Sequence, residues 1–177
     1  MQVLLKVKIA VGILHLLRIL WVMAFLFILN SCTQAVSKEV RDQVDPAATF
    51  KAVFQDPDSY KGKTVLWGGK IIQTRNTKDA TWIELLQQPL ARNDRPILGS
   101  ASEGRFLIRH EGFLDPAVYG RGRELTLVGE VRGRETRQLD EIDYNYPVVS
   151  DKQLVLWGPE QEPAFHFGLG VGATFSR

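Results

Sequence analysis

The chain has a single cysteine, Cys32, so no disulfide can form within it. The residues after the first 31 amount to one domain, and a domain of that size buries about 68–70% of its unfolded surface, so it needs neither bridge nor metal. Histidine is scarce too, at three residues. His110 and His166, the two outside the leader, sit in unrelated contexts with no second cysteine, which excludes a structural zinc site. Also missing are a Gly-x-Ser-x-Gly elbow, a His-Glu-x-x-His pair and a phosphate-binding loop. Gly168-x-Gly170-x-x-Ala173 satisfies a dinucleotide-loop pattern on paper, but the few residues left after it cannot build the helix that such a loop opens. Acidic residues are absent from positions 1–31. Without Lys6, Lys8 and Arg18, the 22 basic residues of the chain fall one short of its 20 acidic ones. The remainder is therefore near neutral, and its balance argues for neither nucleic acid nor an anionic membrane face as partner.

What the first 31 residues do have is three positive charges and an apolar run from Ile19 to Leu29, the n-region and h-region of a secretory leader. As a helix that run would rise about 16 Å, roughly half of a bilayer's hydrocarbon. A spanning helix would have to reach back to Ile9 and bury Arg18, at about 3 kcal/mol; this uncleaved anchor is the rival reading. Directly after the run comes Leu29-Asn30-Ser31-Cys32. It resembles the lipobox of bacterial lipoproteins, although Asn30 is a less usual second position. The resemblance implies cleavage between Ser31 and Cys32, a diacylglyceryl thioether on Cys32 and membrane lipid as its partner. A chance cysteine behind an ordinary leader is the bland alternative. Several acyl chains on one residue hold essentially permanently, since each buried methylene contributes about 0.8 kcal/mol. Thr33 stands where an Asp tends to retain enteric lipoproteins in the inner membrane, so the resemblance points to the outer membrane.

Residues 32–45 read as the lipidated cysteine and a polar tether. A helix is predicted at Pro46–Gln55, with Asp45 as N-cap and Phe50, Val53 and Phe54 as its core-facing stripe. From Thr64 the pattern turns to β-rich runs: Thr64–Gln73 with a bulge or bend at Gly68-Gly69, Thr81–Gln88, Phe106–His110, Glu124–Arg132, Tyr146–Val149 and Gln153–Trp157. The turn Asn76–Asp79 joins the first two. A polar loop, Pro89–Glu103, follows the second. Phe113–Tyr119 suggests a short helix, and Arg134–Asn145 a charged, hairpin-like excursion. This order predicts a mainly β fold: a small OB-like Greek-key barrel over residues 46–158, with one N-terminal helix and a short helix between strands three and four. Residues 159–177 form a Gly/aromatic-rich tail, either a glycine-rich strand or a flexible segment.

Eight phrases then fall in order: Asp56-Pro57-Asp58-Ser59-Tyr60-Lys61-Gly62-Lys63, Val65-Leu66-Trp67-Gly68-Gly69-Lys70-Ile71-Ile72, Thr81-Trp82-Ile83-Glu84, Gln88-Pro89-Leu90, Gly104-Arg105-Phe106, Phe113-Leu114-Asp115-Pro116, Thr126-Leu127-Val128-Gly129-Glu130 and Tyr146-Pro147-Val148-Val149. Together they resemble the Slp family of outer-membrane lipoproteins, the starvation-inducible type, over residues 30–158. The resemblance implies an envelope address and a stationary-phase context, with no enzymatic activity and no cofactor.

Chemistry-bearing constellations are few. Asp140-Glu141-Ile142-Asp143 offers three carboxylates to a hard cation, but reads as a solvated loop balanced by Arg121, Arg123, Arg132, Arg134 and Arg137. His110 beside Glu111 reads as a surface residue rather than a general base. Trp67, Tyr144 and Tyr146 are the candidate ligand or partner surface; Trp82 is an aromatic of the same strands that reads, like Trp67, as packing. The expectation is a non-catalytic structural or interaction protein, anchored through Cys32, with no metal, no cofactor and no nucleic acid. The alternative is a periplasmic small-ligand or glycan-binding module, which requires a cleft with a few convergent polar groups.

Overall fold

The computed structural model describes residues 35–158, together with His15, Leu17, Arg18, Leu20 and Trp21. The Ser31–Cys32 cleavage site, most of the leader and the tail from residue 159 lie outside the described residues.

Five strands make the body: β1 (Thr64–Asn76), β2 (Ala80–Gln88), β3 (Arg105–Glu111), β4 (Glu124–Leu139) and β5 (Ile142–Leu156). They close into a barrel in the order β1-β2-β3-β5-β4, so no sheet edge is left open. Only β3 and β5 run parallel, through Leu107–Val148 to Arg109–Ser150. The expected Greek-key barrel is present. Period-two alternation fills its interior with Val65, Ile71, Ile83, Leu85, Phe106 and Leu127, all shut off from solvent.

Several local expectations need correction. The N-terminal helix is short, α2 (Phe50–Gln55), and its N-cap is Thr49, whose hydroxyl accepts from Ala52 N–H at 3.3 Å. Asp45 instead accepts from Ala47 N–H in a local turn and pairs with Lys63, so the chain enters the helix one turn later than Pro46 suggests. Phe50 still plugs the barrel mouth, edge-on to Trp67 at 4.9 Å and to Phe106 at 5.8 Å. Gly68 and Gly69 are not a bulge: both pair in register with β2 and β4, and the irregularity falls between Ile71 and Gln73. The expected helix at Phe113–Tyr119 shrinks to a single turn, with Val118 and Tyr119 N–H donating to the Asp115 carbonyl. Tyr146–Val149 and Gln153–Leu156 belong to one strand, carried past register shifts in its pairing with β4, and Trp157 lies just beyond its end.

The segment expected to be a polar tether is packed from Val36 onward. It holds a short helix, α1 (Lys38–Arg41), and crosses the outside of the barrel near the C-terminal half of β5 and the start of β1.

Candidate functional site

On β2, Ile83 and Leu85 point inward, so Trp82 and Glu84 face out. On β3 the same alternation turns Arg105 and Leu107 outward, and on β5 it turns out Tyr146 and Val148. Leu107, Tyr146 and Val148 form a second apolar cluster outside the barrel, with Trp82 and Tyr144 packed against it. The far halves of β4 and β5 continue as a two-stranded arm to the turn at Asp140-Glu141 and wall this face on one side. Between arm and sheet lies a cleft of about 410 Å³, lined by Arg75, Trp82, Glu84, Arg105, Arg137 and Tyr146 among others.

Its polar groups converge on one carboxylate oxygen. Glu84 Oε1 accepts from Arg105 Nη1 at 2.8 Å and from the Tyr146 hydroxyl at 3.2 Å. Burial, and then the Glu84 charge, push the Tyr146 phenol above its ordinary value of 10.0. The bond to Glu84 raises the Arg105 guanidinium as well, so Arg105 keeps its charge. The Arg137 guanidinium lies over the Trp82 ring at 4.9 Å, held from the other side by Glu135 at 2.8 Å. Tyr144 and Tyr146 tilt together at 4.6 Å, and the Tyr144 hydroxyl accepts from Arg105 N–H at 2.9 Å. A cleft with aromatic faces, fixed guanidinium groups and an anchored carboxylate can stack a flat or ring-shaped ligand and hydrogen-bond its rim.

Of the residues expected at a ligand surface, the fold brings Tyr144 and Tyr146 together and separates Trp67 from them. Trp67 is 5% exposed and lies inside the barrel against Phe106 at 5.4 Å. Trp82, read from sequence as packing, takes its place in the cleft. Glu84 stands two residues after Trp82 on β2, so strand alternation puts both on one face. Nothing in the sequence assigns Arg105 or Arg137 to this cleft, because only strand pairing and the reach of the arm deliver them there.

Other expectations are adjusted. His110 is half-buried, with Nδ1 2.9 Å from Asp151 Oδ2 on β5, rather than free at the surface. Asp140, Glu141 and Asp143 are exposed at the tip of the arm. The arginines expected to balance them pair elsewhere: Arg132 with Glu130, Arg134 with Asp58 and Arg137 with Glu135. Among the described residues no three His, Cys, Asp or Glu side chains gather as a metal ion would need. A smaller hollow of about 340 Å³ at the barrel mouth touches Phe50, Trp67 and Gln88.

The fold and cleft define a small closed β-barrel with an outward-facing aromatic groove. Residues 29–167 match the outer membrane lipoprotein Slp family, and the chain belongs to that family. The outer membrane protein Slp of Escherichia coli (strain K12) is 29% identical over 77% of this chain and 72% of its own length. The uncharacterized lipoprotein YeaY of the same organism is 28% identical over 82% of this chain and 80% of its own. An uncharacterized protein of Haemophilus influenzae is 34% identical over 54% of this chain and 52% of its own. Among solved structures, Schizosaccharomyces pombe Pot1pC bound to single-stranded DNA overlaps 58% of this chain and 82% of its own at 9% identity. Its TM-score of 0.28 is too low to speak for a shared ligand. The family makes this an outer-membrane lipoprotein.

Proposed function

We propose that this lipoprotein is anchored through acylated Cys32, after cleavage behind Ser31, and serves as a non-catalytic interaction module of the envelope in starved or stationary-phase cells. The observation that carries the interaction role is the cleft on β2 and β3, where Trp82, Tyr146, Arg105 and Arg137 converge outside the core. The same cleft favours a second, narrower reading, a glycan or other small polar ligand. The strand 2–3 face of such barrels, flanked by the loop between strands four and five, is where oligosaccharides and oligonucleotides bind. The site's chemistry, rather than the fold, has to decide between these readings.

The test is a fluorescence titration of the detergent-extracted, acylated protein with soluble peptidoglycan and lipopolysaccharide-core oligosaccharides, with a single-stranded oligonucleotide as control. Saturable quenching by a glycan, weakened about tenfold or more in Trp82→Ala, supports the glycan reading. If no glycan binds and a crosslinker placed at Arg75 captures an envelope protein, the cleft is a protein-docking surface. If neither occurs, the interaction role fails. Intact mass of the same extract, compared with Cys32→Ala, tests the anchor: a chain beginning at Cys32 with added acyl mass is expected, and an uncleaved chain overturns it.

A further inference from the structure

The packed segment before the barrel ends in a clasp. Asp94, 3% exposed, sits in the loop between β2 and β3 at a φ of 71°, a left-handed turn that Asp tolerates. Its carboxylate accepts from Val36 N–H at 3.2 Å and from the Arg41 guanidinium. Its own carbonyl accepts from Thr126 Oγ1 on β4 at 2.6 Å, and the Trp157 indole N–H donates to that same hydroxyl at 3.0 Å. Gln153 Nε2 reaches the Ala35 carbonyl at 3.5 Å, and Lys152 on β5 donates to Gln43 and to Thr64. The segment is thus strapped between the C-terminal half of β5 and the start of β1, the two strands that flank β4, and its clasp residue Asp94 is itself held by Thr126 on β4.

Resting on the lipid anchor proposed above, we infer that this strap fixes the barrel's orientation on the bilayer, with the β4 face toward the lipid and the Trp82 cleft away from it. Two residues, Thr33 and Gln34, separate Ala35 from Cys32, and the three Cα steps between them can span at most about 11 Å. The membrane surface must then lie close to the clasp, within the reach of that short segment. In the closed order β1-β2-β3-β5-β4, the strand across the ring from the β2–β3 pair is β4. The loop that supplies Asp94 continues directly to Ile97 and Leu98, which are 45% and 41% exposed, and carries the exposed Arg92. Two apolar side chains and a guanidinium beside the anchor suit an acyl–headgroup boundary, and the occupant of this face is the bilayer that holds Cys32. Ile142, at the tip of the arm beside the cleft, is 59% exposed but lies at the opposite end of the β4–β5 ladder from Thr126 and Gln153. Its position, not its hydrophobicity, would keep it in water.

The experiment uses the full acylated protein in vesicles of phosphatidylethanolamine and phosphatidylglycerol with brominated acyl chains. Once Cys32 is acylated, Leu98→Cys and Ile142→Cys each supply one free thiol for a small fluorophore. Quenching of the Leu98 label at least threefold stronger than that of the Ile142 label is expected. Inserting a flexible Gly/Ser segment of about ten residues between Gln34 and Ala35 leaves the clasp intact but frees the barrel, and should bring the two labels within a factor of about 1.5. Equal quenching of both labels without the insertion overturns the orientation, as does a difference that survives the insertion. Intact mass separates the two ways of failing: a chain without acyl mass overturns the anchor and this proposal with it, whereas an acylated chain with equal quenching overturns the orientation alone.

Discussion

Asp45 and Asp58 show how single residues hold the chain to the barrel mouth. The Lys63 ammonium, with the Ala47 N–H, holds the Asp45 carboxyl below its ordinary value of 3.8; Lys61, helped by Arg134, does the same for Asp58. A carboxylate whose pKa falls on folding stabilises the fold above its unfolded value, and that stabilisation is lost as pH drops through the folded one. Urea midpoints should therefore hold steady from neutral pH down to about 5 and decline below the ordinary value of 3.8. In the double variant Asp45→Asn, Asp58→Asn the decline should be shallower. The effect is small, because both pairs lie in solvent and are screened. A midpoint whose acid limb is unchanged in the double variant would show that other carboxylates govern it. Tyr146 has the opposite sign: its raised phenol favours the fold below 10.0 and ceases to do so as pH climbs above that.

At the scale of elements, β1 is paired on both sides through Gly68 and Gly69. A Cβ on Gly69 would stand 2.2 Å from the Leu86 carbonyl oxygen, a backbone atom that cannot swing aside. One on Gly68 would meet Leu90 at 2.5 Å, a side-chain end that can move. Gly69→Ala should accordingly cost about 1–3 kcal/mol in chemical denaturation, and Gly68→Ala less. Equal costs would mean that strand flexibility, rather than the close approach of β2, sets the requirement. The Gly-Gly pair was conspicuous in the sequence, but its meaning was not: a bulge and a close backbone approach leave the same mark, and only the partner strand distinguishes them. The strap is hidden in the sequence for a related reason. Its polar composition describes a tether as well as a docked segment, and Val36, its one buried apolar side chain, is too little to register as a pattern.

For the whole molecule, stability rests on one interior layer in which Phe106 links the helical plug to the sheet, touching both Phe50 and Trp67. Phe106→Ala should cost about 3–5 kcal/mol and release the plug, measured as an earlier thermal transition with loss of near-ultraviolet tryptophan ellipticity. Trp82→Ala, outside that layer, should leave the transition within a few degrees of the original while affecting the cleft. Comparable destabilisation by both would show that the outer cluster of Leu107, Tyr146 and Val148 is part of the core rather than a separate surface. If the strap orients the barrel as inferred, the same architecture separates the two jobs, with β4 toward the lipid and β2–β3 toward whatever the cleft binds.

The sequence by itself determined the leader pattern, the lipobox-like Cys32, the run of alternating strands and the family, because each of these is written in local order: charge before an apolar run, a thiol behind it, period-two alternation and phrases in series. Only the tertiary structure decided which aromatics face out, since Trp67 and Trp82 look alike in a strand until closure assigns one to the interior and the other to the outer face. It alone brought Arg137 over Trp82 and Asp94 onto Val36. Those contacts join residues 55 and 58 positions apart, and local periodicity has no means of specifying a distance of that kind.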